Sequence, residues 1–65
     1  MKTFTYKQAI QVLTTYFKGF QIIKAWDTLK ELDIIFKDAN GKQWELISTS
    51  DNYFQTVEDY VIIEA

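Results

Sequence analysis

Alternation of apolar and polar residues is clearest over residues 32–48, where two runs of strand-forming residues flank an Asn40-Gly41 pair. An Asn-Gly pair between alternating apolar positions is typical of a β-hairpin. Because strand side chains alternate between two faces, the loop length decides which residues share a face. A two-residue loop would mix apolar and charged side chains on both faces. A three-residue loop gives one continuous apolar face, and we therefore predict a positive φ at Gly41, where glycine avoids strain.

The three-residue loop also fixes the partners across this hairpin. It places Phe36 opposite Trp44 and Ile34 opposite Leu46, with Leu32 on the same apolar face. Aromatic pairs of this kind stabilise a sheet, so we expect Phe36 and Trp44 to anchor it. The opposite face carries a mixed set of residues: Asp33, Ile35, Lys37, Gln43, Glu45 and Ile47.

An amphipathic helix is predicted over residues 6–18, where apolar side chains recur at spacings of three and four. Thr5 and Gln8 have the spacing of a capping box at the start of this helix. Lys18 would lie in the last turn, where a positive charge suits the helix dipole. Gly19 is expected to end the helix with a left-handed backbone.

The first hairpin leaves its register open in the sequence. A turn is expected near residues 27–28, between a strand at about 20–26 and a strand at about 30–37. A two-residue loop there gives a favourable pair between Lys24 and Glu31. A three-residue loop instead aligns three apolar residues with the apolar face of the second hairpin: Phe20, Ile22 and Trp26.

The fold class predicted from these elements is α+β. One N-terminal amphipathic helix packs on a four-stranded, mostly antiparallel meander, and residues 1–65 form a single small domain. The strands are expected at about 20–26, 30–37, 43–49 and 57–63.

A single helix covers only one face of such a sheet. The other face would expose a row of isoleucines, Ile23, Ile35 and Ile47, with Ile62 or Tyr60 beside it. A row of this kind is not ordinary monomer surface and indicates an interface. Strong curling of the sheet, or coverage by the stems of Lys and Glu side chains, would instead conceal it.

Composition narrows the possible functions. The chain has 65 residues, with no histidine, cysteine or proline, but with five Phe, four Tyr and two Trp that make a small core feasible. Without His or Cys, triad and dyad catalysis and the usual zinc sites are excluded. The segment 38–41 lacks the alternating ligands of a calcium loop and is interpreted as a turn. We therefore expect no enzymatic activity, no cofactor and no metal.

Charge is distributed unevenly along the chain. The net charge is −2, yet residues 1–24 hold lysines and no acid, whereas residues 43–65 hold acids and no base. A solvated surface explains this asymmetry most simply, while a sharper hypothesis is an acidic end that meets a basic partner. A pI near 4.8 disfavours direct nucleic-acid binding. The sequence shows neither a signal peptide nor a membrane span, so a cytoplasmic protein is expected.

Protein binding is the function that these patterns favour. Two candidate sites are predicted, the isoleucine row and the acidic end formed by Asp51, Glu58, Asp59 and Glu64. A phage or mobile-element inhibitor that presents its acidic end to a basic groove of a nucleic-acid-binding protein would fit this size and charge. The alternative is a structural homodimer that associates through its sheet.

Overall fold

The computed structural model describes residues 4–49 and 60–65. Its elements, in chain order, are helix α1 (Tyr6–Tyr16) and strands β1 (Gln21–Asp27), β2 (Glu31–Lys37), β3 (Gln43–Thr49) and β4 (Val61–Glu64). The strands lie in the order β1-β2-β3-β4, and each neighbouring pair is antiparallel. The predicted α+β meander with an N-terminal helix is thus confirmed. Within these residues, no helix has the length and apolar character needed to cross a membrane.

The start of α1 is held by the predicted capping box. The Gln8 N–H donates to the Thr5 hydroxyl oxygen at 3.1 Å, and the Thr5 N–H donates to Gln8 Oε1 at 2.8 Å. Both bonds satisfy backbone donors that have no partner within the helix itself. Just before the cap, the buried Phe4 ring stacks on Tyr60 with centroids 4.9 Å apart, which ties the helix start to the end of the chain.

The helix ends at Tyr16, two residues earlier than predicted. Phe17 leaves the helical conformation, with φ −130° and ψ 59°, while its N–H still donates to the Leu13 carbonyl at 2.8 Å. Lys18 consequently lies beyond the last turn and does not face the helix end as expected. Gly19 has the expected left-handed backbone, with φ +84°.

The second hairpin, β2–β3, has the predicted register. Phe36 lies opposite Trp44, and Ile34 lies opposite Leu46. Gly41 has φ +86°, as the three-residue loop requires. The local signals in this stretch therefore agree with its tertiary structure.

The first hairpin, β1–β2, turns later than predicted, and both registers considered from the sequence are wrong. The Thr28 N–H donates to the Glu31 carbonyl at 2.8 Å, and the Thr28 hydroxyl accepts from the Glu31 N–H at 2.9 Å. These bonds close a turn with Leu29 and Lys30 at its tip, in place of residues 27–28. A threonine side chain that bonds to nearby backbone is a known turn device, and here it moves the turn towards the C-terminus.

A β-bulge in β1 then shifts the register of this pair. Ile22 lies opposite Phe36, but Lys24 lies opposite Ile35, so that Ile23 is an additional residue without a direct partner on β2. Bulges are frequent on edge strands because they bend the strand and increase its twist. The residues of β1 after the bulge consequently face the opposite way from simple alternation.

The core lies between α1 and one face of the central hairpin. Its apolar residues are at most 5% exposed: Phe4, Ala9, Leu13, Leu32, Ile34, Phe36 and Leu46. The Phe17 and Phe20 rings meet Phe36 edge-on, with centroids 5.0 and 6.4 Å away. These contacts fix which face of the sheet is covered, and therefore which face remains open.

Candidate functional site

The face of the sheet that points away from α1 is called the open face below. It is built from alternate residues of β2, β3 and β4 and from the residues of β1 that pair with them, since successive strand residues point to opposite faces. The cross-strand register assigns these residues to it: Gln21, Lys24, Trp26, Glu31, Asp33, Ile35, Lys37, Gln43, Glu45, Ile47, Val61 and Ile63. Each of them is exposed or half-buried.

The predicted isoleucine row is only partly continuous. Ile35 on β2 and Ile47 on β3 are both half-buried on the open face. Ile23 lies at the bulge in the edge strand, where its side chain is 43% exposed. The structure therefore brings two of the three isoleucines together and places the third at the margin.

The expected contribution of the last strand was wrong. Ile62 and Tyr60 do not extend the isoleucine row, because both pack against the helix-side core. Val61 and Ile63 lie on the open face in their place, opposite two residues of β3. With Ile63 46% exposed, the apolar part of the open face reaches the opposite edge of the sheet.

Trp26 is a residue of the open face that the three-residue loop considered from the sequence would have placed on the core face. Because of the bulge, it lies directly opposite Asp33 and keeps 46% of its surface exposed. The Nζ of Lys24 lies 5.7 Å from the centroid of the Trp26 ring. The sequence contains no local signal for this placement, since the bulge that causes it follows from packing.

Asp33 and Glu45 form an acidic pair within the apolar part of the open face. Asp33 lies opposite Ile47 and Glu45 opposite Ile35, so the two carboxylates are diagonal neighbours on adjacent strands. Among residues 4–49 and 60–65, no lysine forms an ion pair with either carboxylate. The predicted face already contained both residues, but sequence reasoning did not single them out.

Asp33 is the less solvated member of this pair. Its Oδ1 is buried and accepts no hydrogen bond from the described part of the chain. Burial, a side-chain hydrogen bond to Glu45 and the Glu45 charge, in decreasing order, together raise the pKa of the Asp33 carboxyl to about 6. At neutral pH the open face therefore carries a carboxylate that lacks a compensating donor.

The predicted acidic end is represented by Glu64 in the described part of the chain. Asp51, Glu58 and Asp59 lie outside the described residues. The Lys42 Nζ donates to Glu64 Oε1 at 2.7 Å, in an exposed ion pair. Glu64 therefore already has a cationic partner within the chain.

The turn at Asp38 uses its carboxylate for structure. Asp38 Oδ1 accepts from the N–H groups of Asn40 and Lys42 at 2.9 and 3.0 Å, and Oδ2 accepts from Trp44 Nε1 at 3.1 Å. The bond from Trp44 and those from the loop backbone lower the pKa of the Asp38 carboxyl. This geometry agrees with the interpretation of residues 38–41 as a turn.

Comparison with protein-family models, with curated proteins and with solved structures finds no match to this chain. Within the described ranges, no three His, Cys, Asp or Glu side chains are grouped so as to hold a metal ion. Function is therefore argued from the geometry of the open face.

Proposed function

We propose that this protein is a non-catalytic protein-binding module and that the open face is its binding surface. The observation that carries the proposal is the difference between alternate residues of the central hairpin. Ile34 and Leu46 are fully buried under α1, whereas Ile35 and Ile47 on the other side remain in contact with solvent. The outward positions of an antiparallel sheet with one covered face are normally polar, so Ile35 and Ile47 depart from this pattern.

The exposed apolar side chains are of the kinds that contribute strongly to protein interfaces. Trp26 and Ile63, near opposite edges of the open face, are each 46% exposed. Burial of apolar surface stabilises a complex by roughly 25 cal/mol per Å² before the costs of association. Tryptophan is enriched among the residues that dominate binding energy.

The acidic pair favours a basic partner over a second copy of the chain. In a two-fold symmetric dimer whose axis passes near the acidic pair, Asp33 and Glu45 of one protomer would approach the same residues of its partner. Like charges that meet in an interface cost binding energy. The homodimer is the second candidate, and Ile35 and Ile47 are the observation that favours it.

An inhibitor of a nucleic-acid-binding protein would also need a basic partner. That hypothesis was based on the acidic end, of which Asp51, Glu58 and Asp59 are outside the described residues, while Glu64 is paired with Lys42. The open face offers a second acidic surface that would serve the same kind of partner. The phage origin and the cytoplasmic location stay predictions.

The test compares two lysine substitutions on opposite sides of the molecule. A partner is captured with the wild-type protein, identified, purified and titrated against Ile35→Lys and Gln11→Lys. Ile35 lies opposite Glu45, so a lysine there gains a cross-strand ion pair and the fold is retained. Gln11 is exposed on α1 and serves as the matched control.

We expect Ile35→Lys to weaken binding by at least about tenfold, since it removes a central apolar contact and neutralises an acid. Gln11→Lys should bind as the wild type does. Circular dichroism establishes that both variants are folded. Equal affinity of a folded Ile35→Lys variant and the wild type would place the binding surface elsewhere.

A further inference from the structure

We infer that the open face recognises a lysine or arginine side chain of its partner, flanked by apolar residues, with the cation seated between Asp33 and Glu45 and beside Trp26. This inference rests on the proposed function and names the chemistry of the partner at the same surface. It assigns separate roles to the charged and the apolar residues of the open face.

Asp33 carries a carboxylate oxygen without a described hydrogen-bond donor. Asp33 Oδ1 is shielded from solvent, yet no described residue donates a hydrogen bond to it. A buried acceptor without a donor costs free energy, and an ionised one costs more. A guanidinium or ammonium group at the exposed part of the Asp33 side chain would compensate this charge in a charge-assisted bond.

The neighbouring strand supplies a second carboxylate in the right place. Glu45 lies on β3 diagonally across from Asp33, on the same face. Two carboxylates that share a small, partly dehydrated region repel each other, which is why the Glu45 charge contributes to the raised pKa of Asp33. A cation that contacts both side chains reduces this repulsion.

The surroundings of the acidic pair fit the stem of a basic side chain. Ile35 and Ile47 are the direct cross-strand partners of Glu45 and Asp33, so apolar surface adjoins each carboxylate. On the neighbouring strand β1, Trp26 lies directly opposite Asp33. The Lys24 ammonium already lies 5.7 Å from the centroid of the Trp26 ring. Aliphatic stems pack on such surface while their charged heads reach polar groups, and an aromatic ring attracts the cation.

The other charged residues of the open face leave the pair free for a partner. β1 contributes Lys24, and β2 contributes Glu31 and Lys37, whereas the described open-face residues of β4 are the uncharged Val61 and Ile63. Neither lysine forms an ion pair with Asp33 or Glu45. An external cation therefore does not have to break an ion pair at Asp33 or Glu45, although the Lys24 ammonium already lies near the Trp26 ring.

The outer edge of β1 offers a different route to a partner, namely the addition of a further strand. The bulge between Ile22 and Lys24 interrupts regular pairing along this edge. A lysine on an edge strand is also a common protection against the addition of a further strand. The open face, with complementary charge and flanking apolar surface, is therefore the docking surface that the structure favours.

The probes for the test are two blocked seven-residue peptides in which valine alternates with lysine. One has free lysines, and the other has every lysine acetylated, which removes the charge and keeps the length. Binding is followed by amide NMR shifts of the labelled protein at pH 7. We expect the free-lysine peptide to bind at least about tenfold more tightly and to shift Trp26, Asp33 and Glu45.

Three variants assign the preference for charge to particular residues. Asp33→Asn and Glu45→Gln should each reduce the difference between the two peptides, while Glu31→Gln, a neutralised acid on the same face, should preserve it. Because Asp33 must be ionised to hold the cation, affinity for the free-lysine peptide should fall about tenfold between pH 7 and pH 5. The acetylated peptide should not show this loss.

The outcomes separate this inference from the proposed function. Equal binding of the two peptides on the open face would overturn the cation site and leave a purely apolar docking surface. Binding of neither peptide, or shifts confined to other surfaces, would contradict the inference and the proposed function together. A stable dimer of the free protein at the NMR concentration would show that a second copy occupies the face, and would also overturn the inference.

Discussion

The two faces of the β2–β3 hairpin differ in what covers them, although both carry large aliphatic side chains. On the helix side, Ile34 and Leu46 lie opposite each other and are completely buried. On the open side, Ile35 and Ile47 occupy the neighbouring positions in sequence and are only half-buried. A hairpin with apolar residues on both sides needs two covers, and within the described residues α1 provides one.

The two faces of the hairpin also differ in the polar groups that they hold. On the helix side of the hairpin, the one buried polar residue described is Ser48, which has an interaction partner. The open side instead holds two carboxyl groups, Asp33 and Glu45, of which Asp33 is partly dehydrated. The difference teaches that the helix side is arranged for stability, whereas the open side keeps a carboxylate oxygen without a described donor.

The largest expected effect comes from lysine substitutions at adjacent positions of β3. Leu46→Lys places an ammonium in a fully buried site without a partner, at a cost comparable to the whole stability of a small domain. Ile47→Lys places it opposite Asp33, where it gains an ion pair at a solvated surface. We therefore expect Leu46→Lys to be unfolded and Ile47→Lys to be folded, as measured by circular dichroism and urea denaturation.

Ile47→Gln serves as the neutral control for this pair of variants. It retains a long side chain on the open face but cannot form the ion pair with Asp33. It should fold and be less stable than Ile47→Lys. Loss of structure in both Ile47 variants would show that the open face is part of the core and would contradict the difference between the two faces.

A smaller effect is expected from the pH dependence of Asp33. Its pKa is about 6 in the folded protein against an ordinary value of 3.8, so the folded state binds more protons than the unfolded state between these pH values. This group therefore stabilises the fold below about pH 4, and the contribution is lost as the pH rises through 6. Allowing for solvent screening, the loss is on the order of 1 kcal/mol.

Asp33→Asn isolates this contribution. As the pH rises from 4 to 7, the wild type should lose stability relative to the variant, as measured by the free energy of unfolding in urea denaturation. Glu31→Gln, which leaves Asp33 in place, should retain the pH dependence of the wild type. The lowered pKa of Asp38 acts in the opposite direction and is common to all three proteins. A constant difference across this range would refute the proposed state of Asp33.

The sequence predicted the elements whose causes are local. The Asn40-Gly41 turn and the Thr5 capping box were both recognised because neighbouring residues determine them. The bulge that adds Ile23 was not, since it depends on how β1 fits against β2 in the folded sheet. The face of Trp26 consequently stayed open in the sequence.

The candidate site shows the same division between local and tertiary causes. Alternation placed Ile35 and Ile47 together on one face, and it placed Asp33 and Glu45 there as well. The importance of the acidic pair depends on the dehydration of Asp33 and the absence of a described donor, which follow from the packing of neighbouring strands. Charge asymmetry along the chain directed attention to the C-terminal acids and away from this pair.

The most direct test of a free, acidic open face is the molar mass of the protein in solution. Light scattering at pH 7, over a wide concentration range and at two salt concentrations, reports whether two copies cover each other. The account predicts a monomer under all these conditions, because Asp33 and Glu45 of two protomers repel across the shared surface. A stable dimer that is insensitive to salt would contradict it and show that the isoleucines of the open face are satisfied by self-association.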